Sequence, residues 1–410
     1  MKRILFFAVA FVGLLASAEI MDRPSGIKLT PRMTLRPYVA FSYTYDSNID
    51  SARTEYSGSS WSVSPGASLS YEADDWSVVA DGFYRYHAYS RFSSQLNESS
   101  YGENLRFNWS NSGADERGWS FMLGESYTML TADDSVQSDD GRGLWRDRAT
   151  FTVNAGLEHR FTQKLHGDIN GSIYWLDYEN DAVKYAPLYG WGRWTVGASV
   201  GYMLTHWSDV FVSGSYQQYD QDDAKEVGGQ LRSMDNDSKG YTIHVGVQTR
   251  ATEKISYRLS GGLSHYEYGD ANESDSFTYS VSGHWRISET WSTMLAGSSY
   301  YQPSEREYGS SVKPYTISWG LAHSMVKGKM NATFDTSYRY EKRDYYTDAD
   351  SDYDEQLWTL RLGLNYTLNR FLGLYAHGEY QTETTSGGGR IGNNYDYDRW
   401  RLTVGFRLTY

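Results

Sequence analysis

The chain has 410 residues, with 51 Asp and Glu against 38 Lys and Arg and no cysteine, which excludes a disulfide framework and a cysteine-linked lipid anchor. Its apolar content is dominated by 37 Tyr and 14 Trp, Pro is scarce at 7, and no run of basic residues marks a nucleic-acid surface. That composition argues against the two or three soluble domains the length alone would suggest.

At the amino terminus, "MKRILFFAVAFVGLLASA" carries Lys2 and Arg3, an apolar run from Ile4 to Leu15, and the small-x-small step Ala16-Ser17-Ala18. This order predicts a secretory signal peptide over residues 1–18. Residues 19–33 read as a short tail, and residues 34–410 as one domain. Beyond residue 18 no segment approaches the roughly 18 consecutive apolar residues of a membrane helix, and no long window holds a 3.6-residue apolar stripe.

From Leu35 onward one unit recurs, ten to fourteen residues of period-2 alternation followed by polar turn residues. The pattern predicts strands over 34–46, 59–71, 75–90, 100–110, 117–129 and 148–161. It continues over 164–178, 190–204, 207–219, 238–250, 254–268 and 274–287. The last six lie at 290–302, 313–324, 329–341, 355–367, 371–383 and 396–410. That makes eighteen antiparallel strands, with sixteen the nearest alternative.

Connections alternate in length, short at Glu72–Asp75, Thr162–Gln163, Thr205–His206 and Asn369–Arg370, long at 131–146, 220–237 and 341–355. Short turns on one rim and long loops on the other are the plan of a transmembrane up-and-down β-barrel of the cell outer membrane, with the short rim and the tail in the periplasm. In the last strand Trp400, Leu402, Val404, Phe406, Leu408 and Tyr410 share one side, and Arg401, Thr403, Gly405, Arg407 and Thr409 the other. A soluble sandwich would alternate too, but in shorter strands richer in Val, Ile and Leu. Here the apolar faces end in Tyr or Trp, the aromatic girdle that sits half in lipid. Unpaired edges cannot lie in hydrocarbon, so the first strand must pair with the last.

A barrel of this size encloses water unless something plugs it. Parity places Arg85, Arg106, Arg148, Arg160, Arg193, Arg258, Arg286, Arg339, Arg361, Arg401 and Arg407 on the lumen-lining face, with Asp81, Glu158, Asp168, Asp335 and Glu379. A basic wall favours anions; the competing reading is that these arginines brace the wall by bonding neighbouring acids. Tyr38, Tyr174 and Tyr375 share that face, where they either stack on sugar rings or simply fill the wall. Loop 131–146 is the first candidate to fold inward and narrow the lumen, with 220–237 as long.

These loops and 341–355 are acidic, holding four, six and seven acids against two bases each. The spaced acids of residues 348–355 lack the Gly and the terminal spacing of an EF-hand, so a solvated loop is the better reading. No cofactor or metal site is expected. Nor is an active site: His87, His166, His244, His284 and His377 fall on separate strands, and no phosphate-cradling loop or H-E-x-x-H occurs.

The first strand runs into Tyr45-Asp46-Ser47-Asn48, and this aromatic-Asp-x-Asn step resembles the opening of a β-barrel porin family of Gram-negative outer membranes that includes exopolysaccharide-export-associated, porin-like proteins. The final Tyr410, after Phe406, resembles the terminal signal read by the barrel-insertion machinery. The resemblance implies an outer-membrane barrel and a conduit for secreted polysaccharide; together with the polar inner face it makes a porin-like channel for hydrophilic or carbohydrate solutes, not an enzyme, the expected function. Its expected surroundings are outer-membrane lipid and lipopolysaccharide, with no nucleic-acid partner; oligomeric state is not legible. The alternative is a structural or adhesive barrel with a closed lumen and acidic binding loops.

Overall fold

A computed structural model describes residues 26–49, 55–91, 99–111, 118–131, 136–137, 143–144, 147–178, 190–221, 237–268, 272–300, 302–303, 310–345, 353–387 and 396–410. The expected signal peptide lies outside them. Eighteen long antiparallel strands close into a barrel, with one extra strand at the amino-terminal end. The barrel strands are β1 (Met33–Asp46), β2 (Gly58–Glu72), β3 (Trp76–Tyr89), β4 (Ser99–Ser110), β5 (Trp119–Thr131) and β6 (Asp147–Arg160). Next come β7 (Leu165–Tyr178), β8 (Trp191–Thr205), β9 (Ser208–Gln221), β10 (Ser238–Thr249), β11 (Ile255–Tyr268) and β12 (Asn272–Arg286). The set ends with β13 (Trp291–Ser299), β14 (Ser310–Met325), β15 (Met330–Tyr345), β16 (Tyr353–Thr367), β17 (Leu372–Gly387) and β18 (Tyr397–Thr409).

Each strand pairs with its sequence neighbours, and β1 pairs with β18 from Tyr38↔Thr409 to Asp46↔Arg401. Closure leaves no free edge along this ladder, as a sheet in hydrocarbon requires. Below Tyr38 the partner changes. The strand Ile27–Thr30, within the expected tail, pairs with Met33–Leu35 on the side of β1 that β18 does not reach. In the long connection between β5 and β6, Val136–Gln137 pairs with Gly143–Leu144. The rest of that loop, and all of 222–236, lie outside the described residues, so neither expected constriction can be placed.

The short turns share a local device. Thr162, Thr252, Ser288 and Asn369 each open a turn, and each side-chain oxygen accepts the backbone N–H two and three residues on, at 2.8–3.2 Å. These side chains satisfy donors that the ladder leaves behind at the rim.

Lipid-facing residues keep the alternation: Leu263, Val245, Ile169 and Leu402 are 69%, 61%, 59% and 54% exposed on the outer side. Aromatic pairs bound this band. At the short-turn rim Trp119 stacks on His159 at 4.0 Å and Trp291 on His323 at 3.9 Å. At the other end stand Trp61–Tyr86, Tyr338–Trp358 and Tyr380–Trp400, with ring centroids 5.7, 4.6 and 4.4 Å apart. Between the girdles, register puts Glu125 outward beside Leu105 and Val153, and Glu103 outward beside Gly82 and Tyr127. Among the described residues neither carboxylate has a hydrogen-bond or ion-pair partner.

Toward the long-loop rim the sheet outlasts the lipid pattern. Strand β15 runs to Tyr345 and β16 begins at Tyr353, so the expected loop 341–355 shortens, and Glu341 and Glu355, the ends of the expected strands, pair inside the ladder. On the outer side Lys342 and Asp354 lie beyond Tyr340 and Trp358; the apolar cue ends there while backbone pairing continues.

Candidate functional site

Residues paired across antiparallel strands point to one side, so the register traces the inner face around the closed ladder. All sixteen charged residues expected on the polar face lie on that one side. The same register adds acids that the sequence reading left out, namely Asp46, Glu72, Asp209, Glu341, Glu355 and Glu383. It adds Arg36 and Arg399 to the cations, so the basic excess is smaller than strand-by-strand parity implied.

Several of these charges form a lateral row. Gly320, Asp335, Arg361, Glu379, Arg401 and Asp46 stand directly opposite one another on β14, β15, β16, β17, β18 and β1. Signs alternate along it. The Arg361 Nε donates to Glu379 Oε2 at 2.5 Å, the Arg401 Nη1 lies 3.9 Å from Glu379 Oε1, and the Arg401 Nε donates to Asp46 Oδ2 at 3.2 Å. Asp46 also receives Arg399, whose Nη2 lies 2.5 Å from Oδ2. The Asp46 and Arg399 side chains are 11% and 7% exposed, so this pair is largely withdrawn from water. Asp46 thus joins the last strand to the first, and Asn48 Nδ2 donates to the Asp398 carbonyl oxygen at 3.2 Å just above.

Opposite this wall the inner face is aromatic. Tyr174, Leu176, Trp191 and Tyr219 form a buried cluster, with Tyr174–Trp191 and Trp191–Tyr219 centroids at 4.8 and 5.8 Å and Arg193 within 5.8 Å of the Tyr174 ring. Tyr174 therefore packs into the wall. The phenol ends of Tyr38 and Tyr375 reach over Gly66 and Gly405, where a Cβ would collide with them. His87, His166, His244, His284 and His377 also face inward, on β3, β7, β10, β12 and β17, where no two of them are paired across a ladder.

Burial follows depth. Toward the long-loop rim Arg148, Leu176, Glu341, Glu355 and Glu383 are each 2% exposed. Toward the short-turn rim Arg106, Glu158, Arg258 and Arg286 are exposed, and a cavity of about 940 Å³ opens beside Glu158 and Arg258. Glu72, Asp74, Asp75, Glu158, Asp168 and Asp209 line this cavity, and Arg258 is the one arginine among them. A second, smaller recess of about 370 Å³ lies higher, against β1, β2, β3, β17 and β18. Among the described residues no group of three His, Asp or Glu is arranged to hold a metal ion. Most of the acidic run 348–355 lies outside those residues.

Among solved structures, the chain is similar to OpdK of Pseudomonas aeruginosa, crystallised with vanillate, at 13% identity over 92% of this chain and 99% of that one, with a TM-score of 0.46. It is similar to OccAB4 of Acinetobacter baumannii at 12% identity over 93% and 99%, with a TM-score of 0.46. It is also similar to the ferric-catecholate import receptor Fiu of E. coli K12, at 9% identity over 91% and 81%, with a TM-score of 0.42. These values are too low to carry an argument, and the barrel assignment rests on the ladder described above. No curated protein matches the chain. The family described as "Putative beta-barrel porin 2" matches residues 23–410, nearly the whole length, and the chain belongs to that family of non-enzymatic, porin-like barrels of the outer membrane.

Proposed function

We propose that the barrel is a channel for hydrophilic solutes of anionic or carbohydrate character, a secreted polysaccharide strand among them. The observation that supports this reading best is an inner face that carries the charged row from β15 round to β1 and, toward the short-turn rim, opens into a charged cavity of about 940 Å³. Charges that line a path at close range set which ions enter it. Here the lower cavity is acidic and the higher recess basic, so an anion meets its favourable charge above the vestibule. Lipopolysaccharide around the outer rim and the insertion machinery at the last strand are the partners this reading brings with it.

Single-channel recording of the purified protein in a planar bilayer tests it. Discrete conductance steps are expected; their complete absence would sink the channel. A second reading, a structural or adhesive barrel with a closed lumen, draws on the burial of Arg148, Leu176, Glu341, Glu355 and Glu383 at the long-loop end. It predicts no steps together with binding of an external partner through the acidic loops.

A further inference from the structure

The recess of about 370 Å³ is built from residues that leave space. In consecutive register rows, Ala40 stands beside Ser64, Ser42 beside Ser62, and Thr44 beside Ser60. All six side chains are small, and hydroxyls among them hydrogen-bond across strands, as in Ser42 Oγ to Ser62 Oγ at 2.7 Å and Thr44 Oγ1 to Thr403 Oγ1 at 2.9 Å. Each such pair keeps acceptor capacity toward the lumen. Beside the row, Pro65 has no N–H to give the ladder, and the register between β2 and β3 is interrupted at Ser64 and Pro65.

Two arginines flank this floor. Arg407 stands directly opposite Ala40 and places its guanidinium carbon 3.8 Å from the Tyr38 ring centroid; the phenol end of that ring reaches over Gly66 of β2. Arg85 approaches from β3, and its Nε donates to Ser64 Oγ at 3.0 Å, two residues from Gly66. Both guanidinium groups are therefore drawn over the same part of β1 and β2. The third lining arginine, Arg401, is already engaged by Asp46 and Glu379. Among the described residues no carboxylate pairs with Arg85 or Arg407. Like charges brought together repel unless an anion joins them, and a guanidinium presents paired donors that match a carboxylate.

We propose that this recess binds one hydroxylated carboxylate, an acidic sugar unit, with its carboxylate held between Arg85 and Arg407 and its hydroxyls on the Ser and Thr floor. The size suits a single small ligand. The proposal rests on the channel reading for its route of access but not for its chemistry.

Titration calorimetry of the full-length protein in detergent, with D-glucuronate, D-glucose and acetate as probes, tests it. Glucuronate is expected to bind at least tenfold more tightly than either control. Arg85→Gln and Arg407→Gln should each weaken it by about tenfold or more, the scale of a lost charged hydrogen bond. Arg370→Gln, at a short turn remote from the recess, should leave it unchanged. Should Arg85→Gln fail to give the folded, heat-modifiable band on a gel, Ser64→Ala, which removes the Arg85 anchor, is expected to weaken binding severalfold. Glucose binding as tightly as glucuronate, no detectable binding, or binding indifferent to both arginines would each overturn the site. Glucuronate binding without conductance would overturn the channel alone, and conductance without binding the site alone.

Discussion

The charged row of the inner face and the lipid-facing acids of β4 and β5 hold charge in opposite ways. On the inner face Asp335, Arg361, Glu379, Arg401 and Asp46 alternate in sign along one register row, and the most buried acid of that row, Asp46, is held by Arg399 and Arg401 together. On the outer face Glu103 and Glu125 stand among Leu105, Val153 and Tyr127 with no partner among the described residues. Burial explains the first arrangement, because a withdrawn charge without its counterion is costly. The second puts two carboxylates against lipid, where the cost depends on depth. In a barrel, then, strand register decides whether a charge is compensated, and residue type alone does not.

The largest effect should come from breaking the inner row at its most buried member. Asp46→Ala leaves Arg399 withdrawn from water without its closest acid and should cost about 3–5 kcal/mol, read from the denaturant midpoint of the barrel in lipid vesicles. Adding Arg399→Met should recover much of the loss, since the orphaned charge goes too. A single-substitution cost below about 1 kcal/mol would mean that the row does not hold the seam.

Exchanging the faces comes next. Leu402, 54% exposed on the outer side, should impair insertion by about 2–4 kcal/mol when changed to Arg near the bilayer midplane, whereas Thr403→Arg on the inner side should insert normally. Equal damage from both would show that the faces are misassigned. The smallest effect has the opposite sign. Glu125→Leu should raise stability by about 1–2 kcal/mol in the same vesicle assay, since a lipid-facing acid costs less than a base at that depth. A loss instead would reveal that a partner within the membrane engages the carboxylate.

Strand number and facing were legible because both rest on a period of two, repeated eighteen times and framed by aromatics such as Tyr43, Tyr45, Trp400 and Tyr410. Pairing was not legible. That Arg361 meets Glu379, or that Asp46 meets both Arg399 and Arg401, depends on how far each strand is staggered against the next, and alternation within one strand carries no such information. Glu341 and Glu355 read as strand ends at the mouth of an acidic loop for a related reason: the apolar side of β15 and β16 stops at Tyr340 and Trp358, although the ladder goes on. The smaller recess was hidden more deeply. Its floor is a set of serines and a threonine that looks like solvent-facing filler in each strand, and it acquires chemistry only where register brings Arg85 and Arg407 above it.

The strand Ile27–Thr30 has a bearing on how such a chain survives before its lipid closes around it. The last strand covers β1 only from Pro37 upward, with the Tyr410 N–H bonded to the Pro37 carbonyl oxygen at 3.1 Å. The stagger would leave Met33–Leu35 as a short stretch of unsatisfied backbone at the barrel's foot, and an open strand edge is a template on which another polypeptide can grow. By folding back on these residues, the chain supplies its own terminator. Two barrels waiting side by side for insertion therefore meet there across the short edge of Ile27–Thr30 rather than along the strand that closes the ladder.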